Sequence, residues 1–278
     1  MKIGIVGLGL IGGSLGLDLR SQGHEILGVS RQERTCQIAI ARGAVDDASL
    51  ELALLADTDL IFVCTPIAHI PSTIAALIPK ISPATVLTDV GSVKASIVND
   101  ITPLWQNFVG GHPMAGTAES GIEAALHGLF AGNPYVLTPT DATPKAAISL
   151  LESILRPLQV KLHYCRPEDH DRAVAWISHL PVMASASLIA ACNSDQAISE
   201  LAQTLASSGF RDTSRVGGGN PELGVMMAQY NTSEVVRSLR SYRTQLDALL
   251  HLIEHENWAD LEAFLKATHQ TRPNYLKP

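Results

Sequence analysis

Apolar residues in the first 165 positions gather in short, near-continuous runs: "KIGIVG" (2–7), "EILGVS" (25–30), "DLIFVCT" (59–65) and "TVLTDV" (85–90). Runs without polar alternation are what strands covered on both faces of a parallel sheet require. Stretches of suitable length for crossover helices, such as 12–22 and 70–79, lie between them. That order predicts an α/β fold, a doubly wound, mostly parallel sheet of the Rossmann type. "FVGG" (108–111), "YVLTP" (135–139) and "VKLHYC" (160–165) read as further strands. Thr143 followed by Pro144 has the pattern of an N-cap and a first helical residue, opening a helix through about Leu155.

From about residue 166 the strand-like runs vanish and helical periodicity takes over. The chain therefore divides into a dinucleotide-binding domain (1–165) and an all-α domain (166–278). Within 232–255, Val235, Leu239, Tyr242, Leu246, Leu249 and Ile253 recur at alternating steps of four and three, and Asn231 with Glu234 makes an N-cap arrangement. Such a stripe either buries a core or, because a long helix in a small all-α domain has little cover of its own, meets a second subunit. "SRVGGGNPELG" (214–224) is the one Gly-rich break in this half.

Composition narrows the function. Of 278 residues, 46% are hydrophobic and 17% charged, enough for two cores and unlike a disordered chain. A net charge of −7 gives no general attraction to nucleic acid or anionic membrane, so neither is expected as a partner. An anionic substrate would need a local cluster of cations. Cys36, Cys64, Cys165 and Cys192 are scattered without a CxxC, as reduced thiols of a cytosolic protein are, and no metal site is expected. The N-terminus has the Lys and apolar residues of a signal peptide, but its glycines recur at motif spacing and Asp18 and Arg20 interrupt it. No run reaches the roughly 18–20 apolar residues of a membrane span. The expectation is a soluble, cytoplasmic chain.

Gly7-x-Gly9-x-x-Gly12 directly follows a predicted strand and opens a predicted helix, with Leu10 and Ile11 between the last two glycines. In that context it is a dinucleotide-binding fingerprint: a tight turn, a close approach to the pyrophosphate, and a close helix–strand contact, with the helix N-terminus facing the anion. An enzyme using NAD usually ends the second strand with an acid. Here Ser30 and Arg31 stand there, with Arg34 and Thr35 just behind, a set suited to a 2′-phosphate, so the expected cofactor is NADP.

Three segments leave the carboxyl edge of the sheet, where ligands of such folds bind: "CTPIAH" with Thr65 and Pro66, "DVGSVK" with Ser92, and "GGHPMAG" with His112. The small residues around His112 read as room for something other than protein. A neutral imidazole there can accept a hydroxyl proton as hydride leaves for the cofactor, and Ser92 can bind the same oxygen or cap the helix beginning near Val93. Asp89 and Lys94 fit a salt bridge or a cap at least as well as catalysis.

The ordered set of GxGxxG, "TDVGSVK", "GGHPMAG", "SHLP" and "GFRDTSR" resembles the prephenate and arogenate dehydrogenase family over essentially the whole chain. The resemblance implies oxidation of a cyclohexadienyl acid at its ring hydroxyl, with loss of the ring carboxylate, in a homodimer joined through the helical domain. It implies that His112 is the base with Ser92 its helper, that His179 lies near the substrate, and that Arg215 pairs with a substrate carboxylate, Arg211 being a weaker second candidate. By the same resemblance, an acid at Glu222 favours arogenate, whose amine it would attract, over prephenate; as a residue just after Pro221 it equally suits a helix N-terminus. The chain's end at Pro278 leaves no expected room for an added mutase or regulatory domain. Two rival readings are a β-hydroxy acid dehydrogenase or imine reductase, for which the helical half offers only Lys266 and Lys277, and a non-catalytic NADPH sensor.

Overall fold

A computed structural model describes residues 1–117 and 119–276. The predicted strands form as β1 (Lys2–Val6), β2 (Glu25–Val29), β4 (Leu60–Val63), β5 (Val86–Asp89), β6 (Phe108–Pro113), β7 (Pro134–Thr138) and β8 (Lys161–Tyr164). One strand is additional: β3 (Asp47–Ser49) has three residues and no apolar run, and it exists through its pairing with β2. All eight lie in one sheet of order β3-β2-β1-β4-β5-β6-β7-β8. β1 to β6 are parallel, β7 runs antiparallel to β6, and β8 is parallel to β7. The winding direction reverses between β1 and β4, and a crevice at the carboxyl ends of the strands follows from that reversal.

Continuous apolar strands bury both faces. One cluster, with Ile3, Ile5 and Phe62, packs under α1 (Leu10–Ser21) and α5 (Lys145–Leu155). The other, with Val29, Val63 and Leu87, packs under α3 (Ile70–Leu77) and α4 (Ala95–Ile101), while α2 (Glu33–Ala41) covers β2 and β3. Thr143 does not cap α5. Its hydroxyl accepts Thr140 N at 3.0 Å, closing its own turn, and Pro144 occupies the cap position.

The second half is helical throughout. α6 (Pro167–Val174) continues through a π-helical turn, Ala175–His179, into α7 (Leu180–Cys192). Pro181 has no N–H for the carbonyl of Ile177, and the helix widens just ahead of it. There follow α8 (Ser199–Leu205), α9 (Ser208–Ser214), α10 (Pro221–Tyr230), α11 (Thr232–Glu254) and α12 (Trp258–Thr271). Of the α11 stripe only Val235 is fully buried; Tyr242, Leu246 and Ile253 are 36%, 46% and 50% exposed. Within one chain the stripe is therefore not a core, and it remains as a face without cover.

The continuous helix Pro167–Cys192 is, against the sequence expectation, long and apolar enough for a membrane span. Length and composition alone are weak grounds for a span, and this helix carries His170, Asp171 and His179 into the site described next.

Candidate active site

The glycine loop is shaped by contacts that tolerate no side chain. Gly7 sits at φ +99°, and a Cβ on it would lie 2.6 Å from the carbonyl oxygen of Cys64. A Cβ on Gly12 would overlap the carbonyl oxygen of Gly7, whereas one on Gly9 would meet nothing within 4 Å. The turn and the helix–strand contact thus need Gly7 and Gly12, and Gly9 faces open space where a ligand's backbone approach needs it. α1 begins at Leu10 and Ile11 with no acidic residue in its first turn and no side-chain cap, leaving its N–H groups to an anion. Beside the loop, Thr65 has a buried hydroxyl without a partner among the described residues, and Pro66 opens the short turn that follows. These residues fit a dinucleotide.

At the end of β2, Ser30 Oγ accepts Gln32 N at 3.3 Å and Thr35 Oγ1 lies 3.4 Å from Gln32 Oε1. Arg31 and Arg34 are exposed, and neither joins an ion pair among the described residues.

His112 is the penultimate residue of β6, not a loop residue, and it is buried. The glycines before it are explained by protein rather than by ligand. A Cβ on Gly110 would collide with Thr138 Oγ1 and Val98, and one on Gly111 would stand 2.7 Å from Asp89 O and 3.2 Å from the ring of Tyr135. Of the three neighbouring glycines, Gly116 alone faces open space. Lys94 and Asp89 form a fully buried ion pair, and Lys94 Nζ also donates to Gly111 O at 2.8 Å while Gly111 N donates to Asp89 Oδ1 at 3.1 Å. The pair fastens the Ser92 loop to β6 and so fixes where His112 stands.

The imidazole is held by a relay. His112 Nδ1 lies 2.8 Å from His170 Nε2, and His170 Nδ1 lies 2.8 Å from Asp171 Oδ1. A carboxylate only accepts, so His170 carries its proton on Nδ1, its Nε2 accepts, and His112 must donate from Nδ1. The lone pair of His112 is then on Nε2, which no described residue hydrogen-bonds. Burial first, and then the electrostatic effect of the groups around it, Lys94 among them, hold His112 well below the ordinary 6.5, so it is neutral.

The same reasoning fixes His179, which ends the π turn and is buried. Asn231 Nδ2 donates to Asp171 O at 2.8 Å and lies 3.3 Å from His179 Nδ1. His179 Nδ1 therefore accepts, and its proton sits on Nε2, a buried donor without a partner among the described residues. Desolvation pushes this histidine down to about 4. Asn231 thus does not cap α11, as its spacing with Glu234 suggests; its amide is spent between Asp171 and His179. Ser92 is no cap either. α4 starts three residues later, the N–H groups of Lys94 and Ala95 go to Asp171, and Ser92 Oγ is buried and unpartnered among the described residues.

The remaining candidates lie further out. Arg215 is exposed in the turn after α9, which is pinned to α7 where Ser185 Oγ donates to Thr213 O at 2.9 Å and accepts Gly217 N at 2.9 Å. Arg211, also exposed, pairs with Asp212 at 3.2 Å, leaving Arg215 without that acid. Glu222 is exposed in the first turn of α10, behind the Asn220 cap, and has no side-chain partner among the described residues. His170, Asp171 and Asn231 escape sequence reading; the one local signal is the adjacent His-Asp in "PEDHDRAV" at the head of the helical half.

A glycine loop shaped for a dinucleotide and, on the same sheet, a buried, neutral imidazole with a free lone pair are the components of a nicotinamide-dependent oxidoreductase. A family profile described as "Prephenate dehydrogenase, nucleotide-binding domain" matches residues 15–164, and one described as "Prephenate dehydrogenase, dimerization domain" matches 166–267. The chain belongs to the prephenate dehydrogenase family. It is 55% identical to the crystal structure of Synechocystis arogenate dehydrogenase, with a TM-score of 0.90 over 99% of this chain and 100% of that one. It is 28% identical, with a TM-score of 0.93 over 99% and 98%, to prephenate dehydrogenase from A. aeolicus in complex with hydroxyphenyl propionate and NAD+. The Bacillus subtilis prephenate dehydrogenase is 29% identical over 96% of this chain and 74% of its own length. Family membership displaces the β-hydroxy acid dehydrogenase reading. Of its two lysines, Lys266 pairs with Glu262 at 2.6 Å on exposed α12, and Lys277 lies outside the described residues.

Proposed function

We propose that the chain is a cytoplasmic, NADP-dependent arogenate dehydrogenase of tyrosine biosynthesis, acting as a homodimer through the exposed apolar face of α11. The observation that carries the chemistry is the free Nε2 of His112, imposed by the His170–Asp171 relay. Preference for arogenate over prephenate is supported by the arogenate dehydrogenase relative at 55% identity and by the acid at Glu222.

Gly7, Gly9, Gly12, Leu10, Ile11, Thr65 and Pro66 would hold the dinucleotide, with Ser30, Arg31, Arg34 and Thr35 at its 2′-phosphate. Bound there, the cofactor supplies the hydride acceptor. The protein's own part is proton handling and orientation. His112 takes the ring hydroxyl's proton at Nε2 while the ring carbon is oxidised, and Ser92 Oγ holds the same oxygen. Loss of the ring carboxylate as carbon dioxide aromatises the ring, and His112 returns the proton to the phenolate oxygen. No net proton is consumed. His179 offers Nε2–H to the substrate, an arrangement that satisfies a buried donor otherwise costing about 1–3 kcal/mol. Arg215 pairs with a substrate carboxylate, and Glu222 faces the amine. Burial that keeps His112 neutral keeps it competent as a base.

The test is initial rates of absorbance gain at 340 nm with arogenate or prephenate and NADP or NAD. The expected order is arogenate with NADP fastest, and Glu222→Gln should narrow the arogenate-to-prephenate ratio. Silence with both substrates would defeat the enzyme reading, and faster turnover of prephenate would reassign the substrate.

A further inference from the structure

Three hydrogen-bonded branches of the site meet at one residue of α6. The carboxylate of Asp171 accepts Lys94 N at Oδ1 (2.7 Å) and Ala95 N at Oδ2 (2.8 Å), capping α4 from the other half of the chain. Oδ1 also accepts His170 Nδ1. Its backbone carbonyl accepts Asn231 Nδ2 and thereby aims the amide's N–H side at His179. Among the described residues the Asp171 side chain is buried and all its bonds are to these groups.

We infer that Asp171 is a positioning residue that sets the tautomers of both site histidines while fastening α4, and with it the Ser92 loop, against them. The proposal rests on the reading of His112 as the base and adds what makes it one. Without a fixed acceptor at His170 Nδ1, the proton of His170 is free to move to Nε2, and His112 must then place its own on the nitrogen facing the substrate. A base would become a donor. The carboxylate suits this place because three N–H donors converge on it, and its oxygens only accept.

Asp171→Asn leaves one acceptor oxygen for three donors. The expected loss in kcat is about 10–100-fold, with dissociation constants for the cofactor unchanged because the glycine loop is untouched. Nitrogen-15 NMR of labelled histidine should show His112 as the Nδ1–H tautomer in the wild type and a mixture in the variant. Should Asp171→Asn fail to fold, His170→Asn keeps the α4 cap and cuts only the relay; it should lose kcat similarly with Tm near wild type. Wild-type kcat and tautomer in His170→Asn would overturn the proposal and leave Asp171 a helix cap. The underlying reading fails separately: only full turnover in His112→Asn removes the base itself.

Discussion

The two walls of the proposed active site are built by opposite means. On the dinucleotide side the backbone does the work, with glycines at 7 and 12 excluding side chains and a bare helix N-terminus presenting N–H groups. On the opposite side a buried side-chain network of His112, His170, Asp171, Asn231 and His179 fixes where each proton sits. The first wall is a shape and is indifferent to protonation. The second is a set of donor and acceptor assignments, and one wrong partner reverses its chemistry.

If the walls are independent, a change in one should leave the other's readout intact. The largest effect is expected from His112→Asn: a fall in kcat of about 10²–10⁴-fold, with cofactor affinity by fluorescence titration unchanged. A parallel loss of cofactor binding would break the division. Gly12→Ala is the converse. Its methyl would overlap Gly7 O, and overpacking of roughly 1–3 kcal/mol should weaken the cofactor about 10–100-fold while kcat at saturating cofactor stays in place. Arg31→Ala sharpens the comparison, since it probes a side-chain contact on the backbone-built wall. Losing a charge-assisted hydrogen bond of about 1.5–3 kcal/mol should weaken NADP by about tenfold or more and leave NAD alone; equal weakening of both would take the 2′-phosphate away from this arginine. The smallest effect is on stability. His112 is held well below 6.5 and His179 at about 4, whereas the unfolded chain protonates both near 6.5. Protons therefore favour the unfolded chain. The contribution of the neutral histidines is full above pH 6.5 and is lost as pH falls from there toward about 4. Thermal melts should show a declining Tm across that window, with a shallower decline in His112→Asn.

The same division explains what sequence reading reaches. Gly7-x-Gly9-x-x-Gly12 is contiguous, and each glycine acts on neighbours close in the chain or on the adjacent strand, so spacing alone carries it. His112 is legible because its strand ends at the sheet's carboxyl edge. The relay joins positions 58 and 60 residues apart, His112 to His170 and Asn231 to Asp171, and no local period encodes those pairings. Two misread caps share a cause. Thr143 and Asn231 have the side chains of N-caps, but a nearer or more buried partner takes the hydroxyl or amide instead. β3 is invisible because three residues without an apolar run become a strand only through the strand beside them.

Tyr135 reaching beneath Gly111 has a practical consequence for anyone wishing to alter what the cleft admits. The backbone ahead of the imidazole is already packed, against Thr138 and Val98 at Gly110 and against Asp89, Thr88 and Tyr135 at Gly111, so bulk introduced at either position displaces the strand. Redesign of the proposed site for new ring shapes should accordingly leave the strand alone.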